Sequence, residues 1–131
     1  MIITKLKPYK KIKSKLKKTY RIGIVSCNAC ARVCGTGGVK EMKILASRLK
    51  KEGYNIVDQD LIGAPCIIGQ LKKDKLHGDT TLVLACDSGV YNLKKLFPRK
   101  RIIAALETIG LAAINKIGKP IVVRRLVRGK K

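Results

Sequence analysis

The sequence has 131 residues, enough for one domain with a moderate core, and 46% of them are hydrophobic. It carries 30 Lys and Arg residues against 8 Asp and Glu, a formal net charge of +22 at pH 7. No apolar run approaches the length of a membrane span and no apolar segment follows the basic first residues, so we expect a cytoplasmic protein without a span or a secretory signal.

The two ends of the chain are its most basic parts. Residues 1–21 contain nine Lys and Arg, residues 119–131 contain six, and neither segment contains an acid. We therefore predict a basic N-terminal arm (1–20), a single α/β metal-binding domain (21–118) and a basic C-terminal tail (119–131). Such ends suit contact with nucleic acid, anionic lipid or an acidic partner, although solubility and a compositional bias toward Lys explain them equally well.

Strands and helices alternate along the predicted domain. Arg21 to Ser26 is a short, β-branched apolar run and predicts a buried strand. Apolar residues at helical spacing predict a helix from Gly38 to Glu52, which Gly53 would end. A second short strand is predicted at Tyr54 to Val57, and residues 67–76 are compatible with another helix.

The second half continues this alternation. Thr80 to Ala85 is the strongest predicted strand, a helix from about Val90 to Leu96 follows it, and another strand is predicted at 101–105. Residues 107–118 are apolar with two glycines and receive no assignment. The pattern predicts βαβ units, and therefore an α/β fold with a small parallel sheet of about four to five strands, flavodoxin-like or Rossmann-like, with flanking helices and the basic N-terminal arm.

The five cysteines follow this strand pattern. Cys27 comes directly after the first predicted strand, Cys86 directly after the third, and Cys66 lies in the loop after the second. Because open parallel sheets bind ligands beyond the carboxyl ends of their strands, we expect these three thiols to converge at one edge. An odd number of cysteines also argues against a framework made only of disulfides.

The first cysteine belongs to a cluster with the spacing C-x2-C-x3-C. Two thiolates at this spacing can chelate one metal or two irons of one cluster, and a third lies one turn further along. The glycine-rich turn that follows allows the backbone to wrap closely and to aim N–H groups at an anionic cluster. The candidate metal ligands are Cys27, Cys30, Cys34, Cys66 and Cys86, and the candidate cofactor-binding residues are Gly35, Gly37 and Gly38.

Cubane iron–sulfur clusters and structural zinc sites both use four cysteines, so one of the five would be spare. We expect Cys27, Cys30 and Cys34 to be the core ligands, with Cys66 and Cys86 competing for the fourth place. We predict an iron–sulfur cluster, 4Fe–4S, with zinc as the alternative. Incidental buried thiols and a redox dithiol at Cys27 and Cys30 remain as simpler interpretations. His77, the only histidine, lies in a predicted turn and is not expected to be a ligand. No Ser/His/Asp set is present for hydrolysis, and no catalytic residue is assigned.

Three segments carry a resemblance to a known family. Residues 22–41 read IGIVSCNACARVCGTGGVKE, residues 64–66 read APC, and residues 82–90 read LVLACDSGV. Together they resemble the C-terminal, metal-binding domain of methylenetetrahydrofolate reductases, flavoenzymes of one-carbon metabolism. In anaerobic bacteria and archaea this domain is often a separate small subunit beside the flavin-bearing barrel. The likeness covers roughly residues 21–110.

The resemblance implies an iron–sulfur subunit that relays electrons to or from the flavin of a methylenetetrahydrofolate reductase-like barrel subunit or another redox protein. It also implies that the five cysteines are the candidate cluster ligands. It does not imply folate binding, since in the family the barrel holds flavin and pterin. The chain is then an accessory subunit of an oxidoreductase rather than an enzyme with a substrate site of its own.

The sequence departs from the family in three places. Asp87 stands where the family loop usually has Gly and adds negative charge beside the expected centre. Residues 119–131 contain no cysteine, although the family commonly has a cysteine-rich tail there, and the basic arm replaces a cysteine-bearing extension. An alternative function is therefore a zinc-stabilised, basic nucleic-acid-binding module that contacts phosphates through its basic ends. The scarcity of aromatic residues, four Tyr and one Phe, argues against it.

Overall fold

The computed structural model describes residues 2–28, 31, 34–62, 77–114 and 120–125, and the side chains of those residues up to 110. These residues form strands and helices of mixed α/β type. In chain order the elements are β1 (Ile2–Leu6), α1 (Tyr9–Ser14), β2 (Arg21–Cys27), α2 (Gly38–Lys51), β3 (Asn55–Ile62), β4 (Thr80–Leu84), α3 (Asp87–Leu96), β5 (Arg101–Ala104), β6 (Leu106–Ile114) and β7 (Pro120–Arg125).

The centre of the fold is a four-stranded sheet in the order β3-β2-β4-β5, and each neighbouring pair is parallel. This confirms the predicted parallel sheet with flanking helices. The chain passes from β2 to β3 on one side and then to β4 on the other, so the direction of winding reverses between β2 and β4. In open α/β sheets the crevice at such a reversal is where ligands bind.

Burial explains why the inner strands form where they do. Every residue of β4 is buried, and in β2 only Arg21 is exposed, which is the continuous burial expected of a parallel strand covered on both faces. Helix α2 lies against this sheet through one apolar stripe. The stripe consists of Met42, Leu45, Ala46 and Leu49, all at most 6% exposed.

A second sheet, of order β1-β6-β7 and antiparallel throughout, was not predicted. Strand β6 occupies most of the segment that received no assignment, and β7 lies within the expected basic tail. Ala105 connects the two sheets, because its N–H donates to the Val83 carbonyl at 2.9 Å and its carbonyl accepts from the Lys7 N–H at 2.9 Å.

The expected basic N-terminal arm is not confirmed. Ile2–Leu6 pairs with β6, and the helix that follows places Ile12 in the core at 1% exposure, with Leu16 nearby at 6%. The lysines between these two residues stay at the surface, so a basic surface and a buried apolar anchor share one short helix. The domain limits at residues 20 and 119 stay predictions, although strands lie on both sides of each.

Smaller differences concern element ends. Strand β3 runs to Ile62, past the predicted end at Val57, and α3 begins at Asp87, three residues before the predicted start. The helix predicted at 67–76 lies outside the described residues. Among the residues that the structure describes, no helix is both long enough and apolar enough to cross a membrane.

Candidate metal centre

Two of the predicted ligands lie at the carboxyl edge of the parallel sheet, on neighbouring strands. Cys27 is the last residue of β2, and Cys86 lies two residues after β4, at the N-cap position of α3 and without a side-chain capping hydrogen bond. Because Ser26 pairs with Leu84 in the parallel ladder, both strands end at the same level of the sheet. Both cysteines are buried, at 6% and 9% exposure. The structure thus places two thiols beside the crevice where the winding reverses.

Ser26 joins the end of β2 to the start of α2. Its Oγ accepts a hydrogen bond from the Gly38 N–H at 2.7 Å and donates to the Cys27 carbonyl at 3.2 Å. The hydroxyl is buried, so both bonds lie in a region of low dielectric where they hold more firmly than at the surface. The helix therefore begins next to Cys27, and its first N–H groups lie at the cysteine edge.

Thr36 and Gly37, just before α2, fold back on Ala31. The carbonyl of Ala31 accepts from the N–H groups of Thr36 and Gly37, both at 3.0 Å, and from the Thr36 hydroxyl at 3.3 Å. Gly37 has no room for a side chain, because a Cβ there would lie 2.7 Å from the Ala31 Cβ and 2.9 Å from the Ser26 Oγ. Gly35 and Gly38 have φ values of 74° and 90°, a left-handed conformation that favours glycine. All three glycines singled out from the sequence thus have a backbone reason to be glycine.

The second sheet covers this edge. Thr4 of β1 shares a hydrogen bond with Thr36 at 2.6 Å, and the Cys34 thiol lies 3.7 Å from the Ile2 carbonyl. The Asp87 N–H, at the start of α3, donates to the Thr108 Oγ1 of β6 at 3.0 Å. Strands β1 and β6 therefore hold the loops that follow β2 and β4. The sequence analysis did not predict this cover, and nothing in the sequence around Thr4 or Thr108 indicates it.

An open cleft of about 580 Å³ lies against the glycine-rich turn. Its walls come from the residue after Cys27, from the turn, from the first residues of α2 and from the end of β3. The lining residues are Asn28, Gly35, Gly37, Gly38, Val39, Lys40, Glu41 and Leu61. The predicted cofactor-binding glycines thus line an open space at the cysteine edge.

The described cysteines do not form a metal site by themselves. Among the described residues no group of three or more His, Cys, Asp or Glu side chains is arranged to hold a metal ion. Cys27, Cys34 and Cys86 are not in disulfides, and Cys30 and Cys66 lie outside the described residues. A complete ligand set needs at least one of those two. His77 is exposed, as expected for a turn residue.

Comparison of this chain with protein-family models, with curated proteins and with solved structures found no match. The candidate site is therefore supported by its own residues and by the topology that positions them.

Carboxylates with shifted pKa values lie at the other end of the sheet. Hydrogen bonds from Lys13 and from the Tyr9 hydroxyl lower the pKa of Glu52, which follows the C-terminus of α2. A hydrogen bond from Thr80, at the amino end of β4, lowers the pKa of Asp79, and the Arg21 N–H lowers it further. These ionised groups hold turns and helix ends together, and they are not part of the cysteine edge.

Proposed function

We propose that this chain binds a 4Fe–4S cluster at the carboxyl edge of its parallel sheet and relays electrons to or from a flavoprotein partner. Four of the five cysteines 27, 30, 34, 66 and 86 supply the ligands, and the glycine-rich turn wraps the cluster. The partner is a flavin-containing barrel subunit like that of methylenetetrahydrofolate reductase, or another redox protein. The chain itself is an accessory subunit of an oxidoreductase.

One observation carries this proposal: two buried cysteines end neighbouring parallel strands at the position where the winding reverses. Cys27 and Cys86 come from segments about 60 residues apart in sequence, yet the β2–β4 pairing brings them to one edge. Buried cysteines are common as small apolar residues. Their placement at the ligand-binding edge, beside a glycine-lined cleft, favours a site over simple packing.

The donor chemistry fits an iron–sulfur cluster, provided that the loops complete the set. Two ligands come from the strand ends, and the remaining ones come from Cys30, Cys34 and Cys66 in the two loops that follow β2 and β3. An all-thiol set suits iron–sulfur clusters and zinc, and does not suit calcium or magnesium. When bound, the cluster would supply one-electron chemistry.

The chain's own residues would tune and protect that centre. Backbone N–H groups at the start of α2 and in the glycine-rich turn favour negative charge beside them. The cover formed by β1 and β6 limits the access of water to the loops after β2 and β4, and solvent exposure is one of the factors that set cluster potentials. Asp87 is exposed, and its charge opposes negative charge at the centre.

The test is metal and sulfide analysis of protein that is purified and reconstituted without oxygen. We expect about four irons and four sulfides per chain, and a broad visible absorption that bleaches on reduction, with the matching EPR signal. One zinc and no iron would contradict electron relay and would favour the zinc alternative. Protein that binds neither metal would show that the cysteines do not form a site.

Single Cys→Ser variants then assign the ligands. Cys27→Ser and Cys86→Ser should each lose most of the iron if the strand-end thiols are ligands. Among Cys30→Ser, Cys34→Ser and Cys66→Ser, the variant that keeps its iron identifies the spare thiol. His77→Ala is the matched control, because the exposed histidine is no ligand and iron content should be unchanged. Circular dichroism of each apoprotein separates loss of iron from loss of fold.

A further inference from the structure

A second surface of the molecule carries dense positive charge on α1, on the turn that follows it and on the last turn of α2. Residues 10–18 and 48–51 contain nine Lys and Arg and no acid, and Glu52 directly follows the second segment in the sequence. We call this surface the α1–α2 basic face. Its members are Lys10, Lys11, Lys13, Lys15, Lys17, Lys18, Arg48, Lys50 and Lys51.

Contacts between the two helices hold this face together. The Lys13 Nζ lies 2.8 Å from Glu52 Oε1, and the Tyr9 hydroxyl donates to the other oxygen of the same carboxylate. The Arg48 guanidinium lies 3.6 Å from the centre of the Tyr9 ring. Ile12 anchors α1 in the core beneath these groups. The lysines therefore project from a packed element and not from a solvated arm.

The Glu52 carboxylate is already engaged by Lys13 and Tyr9, which leaves the other lysines and arginine of the face for a partner. Five lysines of this face, at positions 10, 11, 15, 17 and 18, are exposed, as are Arg48, Lys50 and Lys51. Counting Glu52, the face has a formal charge of +8. A surface with this charge attracts a polyanion over several ångströms and binds it in a salt-dependent way.

The aromatic rings of the face favour contact with phosphates over contact with bases or with an apolar protein surface. Both rings are half-buried and already have cations beside them, Arg48 and Lys13 at Tyr9 and Lys18 at 5.9 Å from Tyr54, so they are not a free platform of exposed aromatic rings for unpaired bases. The exposed large apolar side chain nearest in sequence to Arg48 is Ile44. Protein interfaces usually have an apolar core with few charges, which residues 10–18 and 48–51 do not offer.

This face is separate from the cysteine edge. Helix α2 begins at Gly38 beside Cys27, and Arg48 lies ten residues further along. At 1.5 Å per residue, Gly38 and Arg48 are roughly 15 Å apart along the axis of α2. A partner on the basic face is therefore not required to be the redox partner of the proposed cluster.

From these contacts we infer that the α1–α2 basic face binds the phosphate backbone of a nucleic acid duplex, without reading its sequence. The exposed lysines neutralise phosphates and release their counterions, which makes the affinity steeply dependent on salt. The proposed binding element thus combines lysines of the predicted N-terminal basic segment with basic residues from the middle of the chain. This inference is independent of the proposed cluster.

The experiment measures binding of the full-length protein to a fluorescent, mixed-sequence DNA duplex of about 20 base pairs over a range of salt concentrations. The test variant changes Lys10, Lys11, Lys15 and Lys17 to Gln. Its matched control changes Lys43, Lys94, Lys95 and Arg99 to Gln, which removes the same charge from exposed positions of α2, of α3 and of the turn after α3, all outside the face and outside the cleft. Circular dichroism and thermal melting check that both variants fold.

We expect the test variant to bind at least about tenfold more weakly near 100 mM salt, and its salt slope to fall by about one per phosphate-contacting lysine, up to four. The control should keep most of the affinity and slope. Equal losses in the two variants would overturn the assignment to this face. So would a duplex that does not bind at low salt, a single strand of equal length bound more tightly, or a poly-glutamate of equal charge bound as tightly as the duplex.

Discussion

The cysteine edge and the α1–α2 basic face are built in opposite ways. At the cysteine edge the main chain itself is constrained: a buried serine hydroxyl joins β2 to α2, and Gly37 has no space for a Cβ. On the basic face, long exposed side chains lie over a few buried apolar residues, and ion pairs and ring contacts hold the helices together.

The difference shows what each region can tolerate. A site that holds a cofactor needs ligands at fixed positions, so small changes in the backbone of the cysteine edge should be costly. A surface that attracts a polyanion needs charge density and not exact positions, so single lysines on the basic face should be replaceable with little effect on folding. Four substitutions test this contrast.

The largest effect is expected beneath the basic face. Ile12→Ala removes a side chain that is 1% exposed in the core and should lower the free energy of unfolding by about 3 kcal/mol. Chemical denaturation measures the change. Ile44→Ala is the control, since this side chain of α2 is 51% exposed and its loss should cost less than about 0.5 kcal/mol. Equal costs would mean that α1 is not anchored in the core.

The next effect is expected at the cysteine edge. Gly37→Ala places a Cβ against Ala31 and Ser26 and should destabilise the fold by about 2 kcal/mol through overpacking. Gly35→Ala is the comparison, because nothing lies within 4 Å of its Cβ and only the left-handed backbone opposes it, at a cost of about 1 kcal/mol. Denaturation curves of both apoprotein variants show which substitution lowers the free energy of unfolding more. If Gly35→Ala costs more, space at Gly37 is not the constraint.

Local signals in the sequence were enough to predict the parallel sheet and its main helices. The apolar run in β2, the helical stripe of α2 and the buried β4 each depend on residues close together in the chain. Alternation of strands and helices then predicted parallel pairing, and parallel pairing predicted that Cys27 and Cys86 share an edge. The glycine-rich composition of the turn identified Gly35, Gly37 and Gly38. The structure explains them, because Gly35 and Gly38 have positive φ values and Gly37 has no room for a Cβ.

The second sheet could not be predicted in the same way, because its pairing joins the two ends of the sequence. Ile2–Leu6 pairs with the first half of β6, and neither segment has a turn signal that connects it to the other. The lysines that surround Ile12 also concealed its burial, since composition indicated a solvated arm while one apolar residue in the helix was sufficient to anchor it. A local sequence pattern identifies a strand, but it does not identify which distant strand will pair with it.

The smallest effect concerns the ionised contact that joins α1 to the end of α2. Hydrogen bonds from Lys13 and Tyr9 lower the pKa of Glu52, so its contribution to stability is present above roughly pH 5 and is lost as the pH falls through the lowered pKa. Glu52→Gln should lower the Tm by roughly 1–3 °C at neutral pH, and the difference from the native protein should disappear in acid. Thermal melts across the acid range measure it.

Tyr9→Phe separates the two partners of that carboxylate, because it keeps the ring beneath Arg48 and removes only the hydroxyl. Burial, together with the hydrogen bond to Glu52, raises the pKa of Tyr9 to about 12. The neutral phenol therefore stabilises the fold below its ordinary pKa, and this stabilisation is lost as the pH rises through about 12. Absorbance titration of the tyrosinates should show one late-titrating group in the native protein, and Glu52→Gln should shift it back toward the others. If acid and alkaline profiles are the same in both variants and the native protein, the basic face is held by its buried residues alone, and its charges are available entirely for a partner.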